Sequence, residues 1–335
     1  MLERRKFIKS YLNEFIPQCL SNLINDYDYC FAGKCEATLE GHRNSVNCCA
    51  VLPDSSHRII SGSDDLTIRV WNTQEHKCEM MIKESSWLGW VCCCSGLSNG
   101  REELRLVSGI CNNTINVWSI KNRFGINELT LKGHTDWITC CIELPDGRLV
   151  SGSGDRTLKI WNIKTDSSNT SYKCELTLKG HSAGITCCAI LSNSSYRALR
   201  LVSGSNDGKL KIWNIENGEC ELTMKHDFIV SCCAILSDGR IVSGSYDKTL
   251  KVWNSKTGKC DITFEDQTEV TCCAVLPDDS IVSGSSDGTI KVWNVIFGKC
   301  ELSLKGHSNS VKCCTVLPDS RIVTGSKDYS LKIWS

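Results

Sequence analysis

Residues 300–335 read CELSLKGHSNSVKCCTVLPDSRIVTGSKDYSLKIWS, and this stretch decides the fold. It holds four short runs rich in Val, Ile, Leu and Thr, each bounded by Gly, Pro, Asp or Ser. Each run therefore reads as a strand followed by a turn. Working outward, the Cys-Cys doublet of this stretch recurs. Taking the second member each time, it stands at Cys49, Cys94, Cys141, Cys188, Cys233, Cys273 and Cys314. A tryptophan follows each doublet, at Trp71, Trp118, Trp161, Trp213, Trp253, Trp293 and Trp334. The chain thus carries seven units of about 40 residues with four strands apiece. A four-stranded sheet of this size cannot bury both faces alone, so neighbouring units must stack, as a solenoid or a closed ring.

Composition narrows the function. The 335 residues carry 38 basic and 38 acidic side chains, so no broad basic face is available for nucleic acid. The 24 cysteines first suggest a disulfide framework or zinc. No C-x-x-C occurs, which removes the main support for zinc knuckles. The opening MLERRKFIKSYLNEF has no apolar core of secretory type, and no run approaches the length of a membrane span. The expectation is a cytoplasmic protein with reduced thiols, no cofactor and no metal.

Gly-His before the first strand, Ser-Gly-Ser and Asp before the third, and Trp at its end resemble the WD40 repeat over residues 34–335. The third unit is typical, with Gly133-His134, Ser151-Gly152-Ser153, Asp155 and Trp161-Asn162. The eponymous Trp-Asp is absent; Trp-Asn stands in five units and Trp-Ser in units two and seven, at Ser119 and Ser335. The resemblance implies an all-β, seven-bladed β-propeller of four-stranded antiparallel blades. Unit seven stops after its third strand, while an extra strand, KCEATL at 34–39, precedes the first Gly41-His42. The N-terminal strand is therefore expected to complete blade seven. The near-identical LPDGRLVSGS-type units also resemble WD40 proteins of giant DNA viruses and amoebae, which implies the host cytoplasm if the chain is viral.

His, Ser and Asp recur together in most units, superficially like a hydrolase triad. Their copy number points to scaffolding. The resemblance implies a buried tetrad of His, Ser, Asp and Trp, complete in units one (His42, Asp65, Trp71), three (His134, Asp155, Trp161), four (His181, Asp207, Trp213) and seven (His307, Asp328, Trp334). Unit two has Trp87 at the histidine position and Asn112 at the aspartate position. Units five and six are one residue short there, leaving His226 in ambiguous register and Asp266 where histidine would fall. Adjacent doublet cysteines should point to opposite faces of the inner strand as small buried side chains. Cys35, Cys78, Cys174, Cys220, Cys260 and Cys300, in the outer strand, are expected in the core too.

With no catalytic constellation, function passes to surfaces. The resemblance implies the narrow end of the ring as the binding face. Carried over by motif, the residue three after the Gly-His histidine or its equivalent is Ser45, Trp90, Trp137, Gly184, Ile229, Glu269 or Ser310. The residue before each doublet is Asn47, Cys92, Thr139, Thr186, Ser231, Thr271 or Lys312. The residue before the turn Asp or its equivalent is Asp64, Cys111, Gly154, Asn206, Tyr246, Ser286 or Lys327. From these, Trp90, Trp137, Ile229, Tyr246, Lys312 and Lys327 are the candidate partner-binding residues, because exposed aromatics anchor binding hot spots. Residues 1–33 have apolar positions Phe7, Ile8, Tyr11, Leu12, Phe15 and Ile16 at helical spacing, then FIPQCLSNLINDYDY, which resembles the opening of an F-box. The expectation is a monomeric, non-catalytic scaffold for a protein or peptide partner; the alternative is a ubiquitin-ligase substrate receptor acting through a degenerate F-box-like N-terminus.

Overall fold

A computed structural model describes residues 33–53, 57–84, 89–98, 104–121, 124–165, 170–191 and 199–335. The expected N-terminal helices and F-box-like opening lie outside these residues. Over residues 33–335 the chain forms seven four-stranded antiparallel sheets. Blade four is representative, with an inner strand Ile185–Leu191, a second Arg200–Ser205, a third Lys209–Asn214 and an outer Cys220–Lys225. The Cα atoms of each inner strand come within 8 Å of the inner strands on both sides, the seventh meeting the first. The sheets therefore close into a propeller.

Closure uses the strand that the sequence assigns to it. The outer strand of blade seven is Cys35–Leu39, paired antiparallel with Leu331–Trp334 in the register Leu39↔Leu331, Thr38↔Lys332 and Ala37↔Ile333. Backbone bonds between Lys34 and Ser335 extend the ladder in both directions, at 2.9 and 3.0 Å. Leu39 is buried with Val46, Trp71, Leu331 and Ile333, so this strand also joins the packing between blades seven and one.

The Ser-Gly-Ser of the second strand has a steric cause. A Cβ on Gly244 would sit 2.5 Å from Val270 Cγ1 of the next blade and 2.6 Å from Cys232 Sγ of its own. Gly62 is hemmed in the same way by Val91 and Cys48. The glycine thus clears the space in which the first doublet cysteine and the leading Val or Ile of the next blade interdigitate. That leading residue is fully buried in every blade, from Val46 to Val311. Burying such a side chain contributes about 1.5–3 kcal/mol per blade.

The doublets point their sulfurs to opposite faces as expected, but they do more than fill space. The first cysteine of one blade meets the second cysteine of the next. Cys48 pairs with Cys94, with their Sγ atoms 3.2 Å apart. The thiols of Cys93 and Cys141, Cys140 and Cys188, Cys187 and Cys233, Cys232 and Cys273, and Cys272 and Cys314 likewise face each other across successive blade interfaces. Cys313 to Cys49 closes the circuit. The outer-strand cysteines correct the sequence expectation. Cys78, Cys220, Cys260 and Cys300 are exposed, and Cys35 and Cys174 half-buried. Each sits opposite the structural tryptophan where that strand pair is bulged, as in Trp213↔Cys220, and its thiol donates to the carbonyl two residues on. The bulge turns these side chains away from the core.

Candidate interaction face

The end of the ring that carries the loops entering the inner strands is built on the buried tetrads. In blade four, Trp213 Nε1–H donates to Ser203 Oγ at 2.8 Å, and His181 Nε2 lies 2.9 Å from the same oxygen. His181 Nδ1 lies 3.0 Å from Asp207 Oδ2. With a carboxylate at Nδ1, the consistent tautomer carries the proton there and accepts the serine proton at Nε2. Asp207 also accepts from the backbone N–H of Ser182 and of Lys209, so one carboxylate ties the entering loop to the turn between second and third strands. Blades one, three and seven repeat the scheme, with Thr324 replacing serine in blade seven.

The structure changes the reading of blades five and two and keeps that of blade six. Blade five is complete: His226 lies 2.8 Å from Asp247 and 2.7 Å from Ser243, which accepts from Trp253 Nε1–H at 2.8 Å. In blade two the residue doing the histidine's work is Glu84, and Trp87 lies outside the described residues. Ser108 Oγ–H donates to Glu84 Oε1 at 2.8 Å, Asn116 Nδ2–H donates to Oε2 at 2.9 Å, and Trp118 Nε1–H donates to Ser108 Oγ at 3.0 Å. Asn112 does hold the aspartate position, accepting from the Thr114 backbone and hydroxyl. In blade six Asp266 stands at the histidine position and accepts from Ser285 Oγ at 3.2 Å and from Lys291 Nζ.

Protonation follows from burial. Burial lowers the His134, His181, His226 and His307 pKa values, outweighing the pull of their aspartates. Asp65, Asp155, Asp207, Asp247 and Asp328 are held below the usual carboxylate range. Burial pushes each up, but hydrogen bonds from histidine, hydroxyl and backbone N–H groups outweigh it. In both sets the unfolded chain binds more protons than the folded one, so stability rises with pH through their range. It is full above the unfolded histidine value of about 6.5 and is lost as pH falls through the lowered histidine and then the lowered aspartate values. Glu84, pushed up by burial, works the other way but is a single group. The expected result is a urea midpoint that is nearly constant from pH 8 to about pH 7 and then drops steadily to pH 4; a midpoint that is flat or rises from pH 7 to pH 4 contradicts it.

On this frame the rim residues pair. In every blade the backbone N–H before the turn Asp, or its equivalent, donates to the carbonyl of the loop residue entering the inner strand. The pairs include Asp64 to Ser45, Cys111 to Trp90, Gly154 to Trp137, Tyr246 to Ile229 and Lys327 to Ser310. The residue before the doublet is an inner-strand bulge, and in blades one, four, five and six its side chain reaches the next blade, whereas Cys92 and Thr139 bond within their own. Thr186 Oγ1 and Ser231 Oγ each donate at 2.5 Å to the carbonyl of the next blade's leading residue, and Asn47 Nδ2 does so at 3.1 Å. These positions therefore carry inter-blade structure. Lys312, at the same position in blade seven, is half-buried, and burial and the neighbouring Lys327 hold its pKa below the usual lysine value.

The aromatic side chains are unevenly distributed on this rim. Trp90 and Trp137 are 44% and 53% exposed, yet their rings meet edge to face with centroids 6.3 Å apart. Lys327 is exposed, whereas Ile229 and Tyr246 are half-buried. Phe228, at 65% exposure beside Ile229, and Tyr329, at 49% in the blade-seven turn, are rim aromatics that motif counting passed over. Among the described residues no group of three or more His, Cys, Asp or Glu could hold a metal ion, and no helix is long and apolar enough to cross a membrane.

Comparison with known proteins agrees with this architecture. The family model "WD domain, G-beta repeat" matches residues 33–72, 125–162, 172–214, 218–254, 258–294 and 298–335. It leaves out 73–124, which holds most of blade two, where Glu84 and Asn112 replace the usual pair. The nuclear distribution protein nudF of Emericella nidulans is 28% identical over 58% of this chain and 42% of its own length. The guanine nucleotide-binding protein subunit beta-1 of Caenorhabditis briggsae is 29% identical over 40% and 38%. A DENN domain and WD repeat-containing protein, SCD1, of Arabidopsis thaliana is 29% identical over 54% and 14%. The chain thus spans less than half the length of these relatives. Six matched repeats on a closed seven-bladed ring place the chain in the WD40 family.

Proposed function

We propose that this protein is a non-catalytic, monomeric scaffold in the cytoplasm that binds a protein or peptide partner on the narrow end of the propeller, with Trp90 and Trp137 as the anchor. One observation carries the reading: two exposed indoles from adjacent blades meet edge to face on that end, and neither belongs to a tetrad. Two large apolar faces held by backbone pairing to their own turns lose little side-chain freedom on binding, which favours their use as a hot spot. Ile229, Tyr246, Lys312 and Lys327 supply further apolar and cationic contacts around the same rim. One relative's name makes it a subunit of a larger assembly, in keeping with a scaffold.

The test is the double substitution Trp90→Ala with Trp137→Ala. Pull-down followed by mass spectrometry on full-length protein is expected to lose at least ten-fold of the captured partner. The melting temperature should move by no more than about 2–3 °C, because an edge-to-face aromatic pair contributes only about 0.5–1.5 kcal/mol. Capture undiminished in a folded double variant rejects this anchor. A melt lowered far beyond that range assigns the pair to the scaffold instead.

A further inference from the structure

The circuit of thiols at the blade interfaces is a set of paired reactive groups. Cys48 Sγ and Cys94 Sγ lie 3.2 Å apart, and the S–S distance of a disulfide is about 2.05 Å. Cys187 and Cys233, and Cys313 and Cys49, hold the corresponding positions at their own interfaces and face each other there. Within a doublet the two sulfurs point to opposite faces of the strand, so each faces its neighbour in the next blade rather than its neighbour in sequence. Two chemistries could use such a pair: a soft cation held between two thiolates, or a disulfide. The facing thiol and burial together raise the pKa of most of these thiols, which opposes products that leave charge in the core. A disulfide leaves none.

We propose that the inter-blade thiol pairs are oxidative cross-linking sites, which peroxide converts to disulfides that tie each blade to the next, the Cys313–Cys49 bond locking the ring where blade seven meets blade one. The second doublet cysteine is partly exposed in six blades and takes the first step. Its sulfur attacks hydrogen peroxide; an S–O bond forms, the O–O bond breaks, and the departing hydroxide takes the thiol proton as water. The first cysteine of the preceding blade then attacks the sulfenic sulfur. An S–S bond forms, the S–O bond breaks, and the released hydroxide takes the second thiol proton. Two electrons pass from two thiols to one peroxide, giving two waters. The low thiolate fraction makes the reaction slower than oxidation of exposed thiols such as Cys220 or Cys260.

The experiment uses the full chain. Exposed thiols are first alkylated on the folded protein; hydrogen peroxide is then applied, and the product is unfolded, digested without reductant and mapped by mass spectrometry. The expected result is peptide pairs joined through Cys187–Cys233 and Cys49–Cys313 within one molecule, with a melting temperature raised by several degrees and restored by dithiothreitol. Cys313→Ala should lose the Cys49–Cys313 link and keep the others. If that variant does not fold, Cys49→Ala provides the same comparison, and the wild-type map decides on its own. Disulfides within a doublet or between molecules, an undiminished number of alkylatable thiols after peroxide, or a melt unchanged or lowered by oxidation would each overturn the proposal.

Discussion

A chain lacking residues 1–40 is expected to melt about 10 °C or more below one lacking only residues 1–32, through a broader transition. The closing strand Cys35–Leu39 supplies a ladder to Leu331–Trp334 and buries Leu39 between blades seven and one. Four or five ladder bonds at about 1 kcal/mol each, with about 2 kcal/mol for the leucine, amount to roughly 6–7 kcal/mol. At about 2 °C per kcal/mol for a chain of this size the shift exceeds 10 °C. The loss is also topological: without that strand, Leu331–Trp334 becomes an open edge, and the contact between blades seven and one loses a wall. Differential scanning calorimetry of the two truncations makes the comparison. Coincident melts would mean that the ring closes without this strand.

Much of this architecture was legible because its markers are chemically unusual and repeat in phase. The doublets and tryptophans counted seven blades even across residues 73–124, which the family model leaves unmatched. The tetrads were harder because the loop before the inner strand varies on either side of the key residue. In blades one, three, four, five and seven the histidine stands four residues before the leading Val or Ile, as His42 does before Val46 and His226 before Val230. Blade five is short because it drops the glycine before its histidine, which leaves that interval intact. In blade two the same interval lands on Trp87, yet the loop is three residues longer and Glu84, seven before Val91, takes the role. What the site requires is an acceptor for the serine hydroxyl, which a carboxylate meets as well as an imidazole does.

The cysteines divided differently. Strand alternation placed the doublet sulfurs on opposite faces, but the period alone could not say that each would meet the sulfur of the next blade. That depends on the stagger between neighbouring inner strands, which share no hydrogen-bonded register. The outer-strand cysteines looked like core residues because they share the doublets' period; the bulge opposite the tryptophan turns them outward. On the rim, the repeat located Trp90 and Trp137, while Phe228 escaped because it stands one residue before the position that motif counting selected.

Ser203→Ala is expected to cost about 2–5 kcal/mol, whereas Ser203→Thr should cost less than about 1 kcal/mol. The Ser203 hydroxyl accepts from Trp213 Nε1–H at 2.8 Å and faces His181 Nε2 at 2.9 Å, and Ser203 has no exposed surface. Removing it orphans a buried donor and a buried acceptor, each worth about 1–3 kcal/mol in lost desolvated pairing. The threonine arm separates this polar cost from a packing cost. Blade seven already carries Thr324 at the equivalent position, with the same two partners at 2.8 Å each. The hydroxyl, rather than the size of serine, is therefore what the tetrad needs. Urea unfolding of the two variants at pH 7.5, where His181, lowered by burial, is neutral, measures both terms. An alanine variant as stable as the wild type would mean that the Trp213 and His181 bonds contribute nothing. A threonine variant as damaged as the alanine one would shift the cause from hydrogen bonding to fit. The same pair of substitutions at Ser108 in blade two should show the same order, because there the hydroxyl bridges Trp118 to Glu84 instead of to a histidine. As pH falls through the raised Glu84 value the blade-two effect should shrink relative to that in blade four, since Glu84, pushed up by burial, takes up a proton and no longer serves as a charged acceptor.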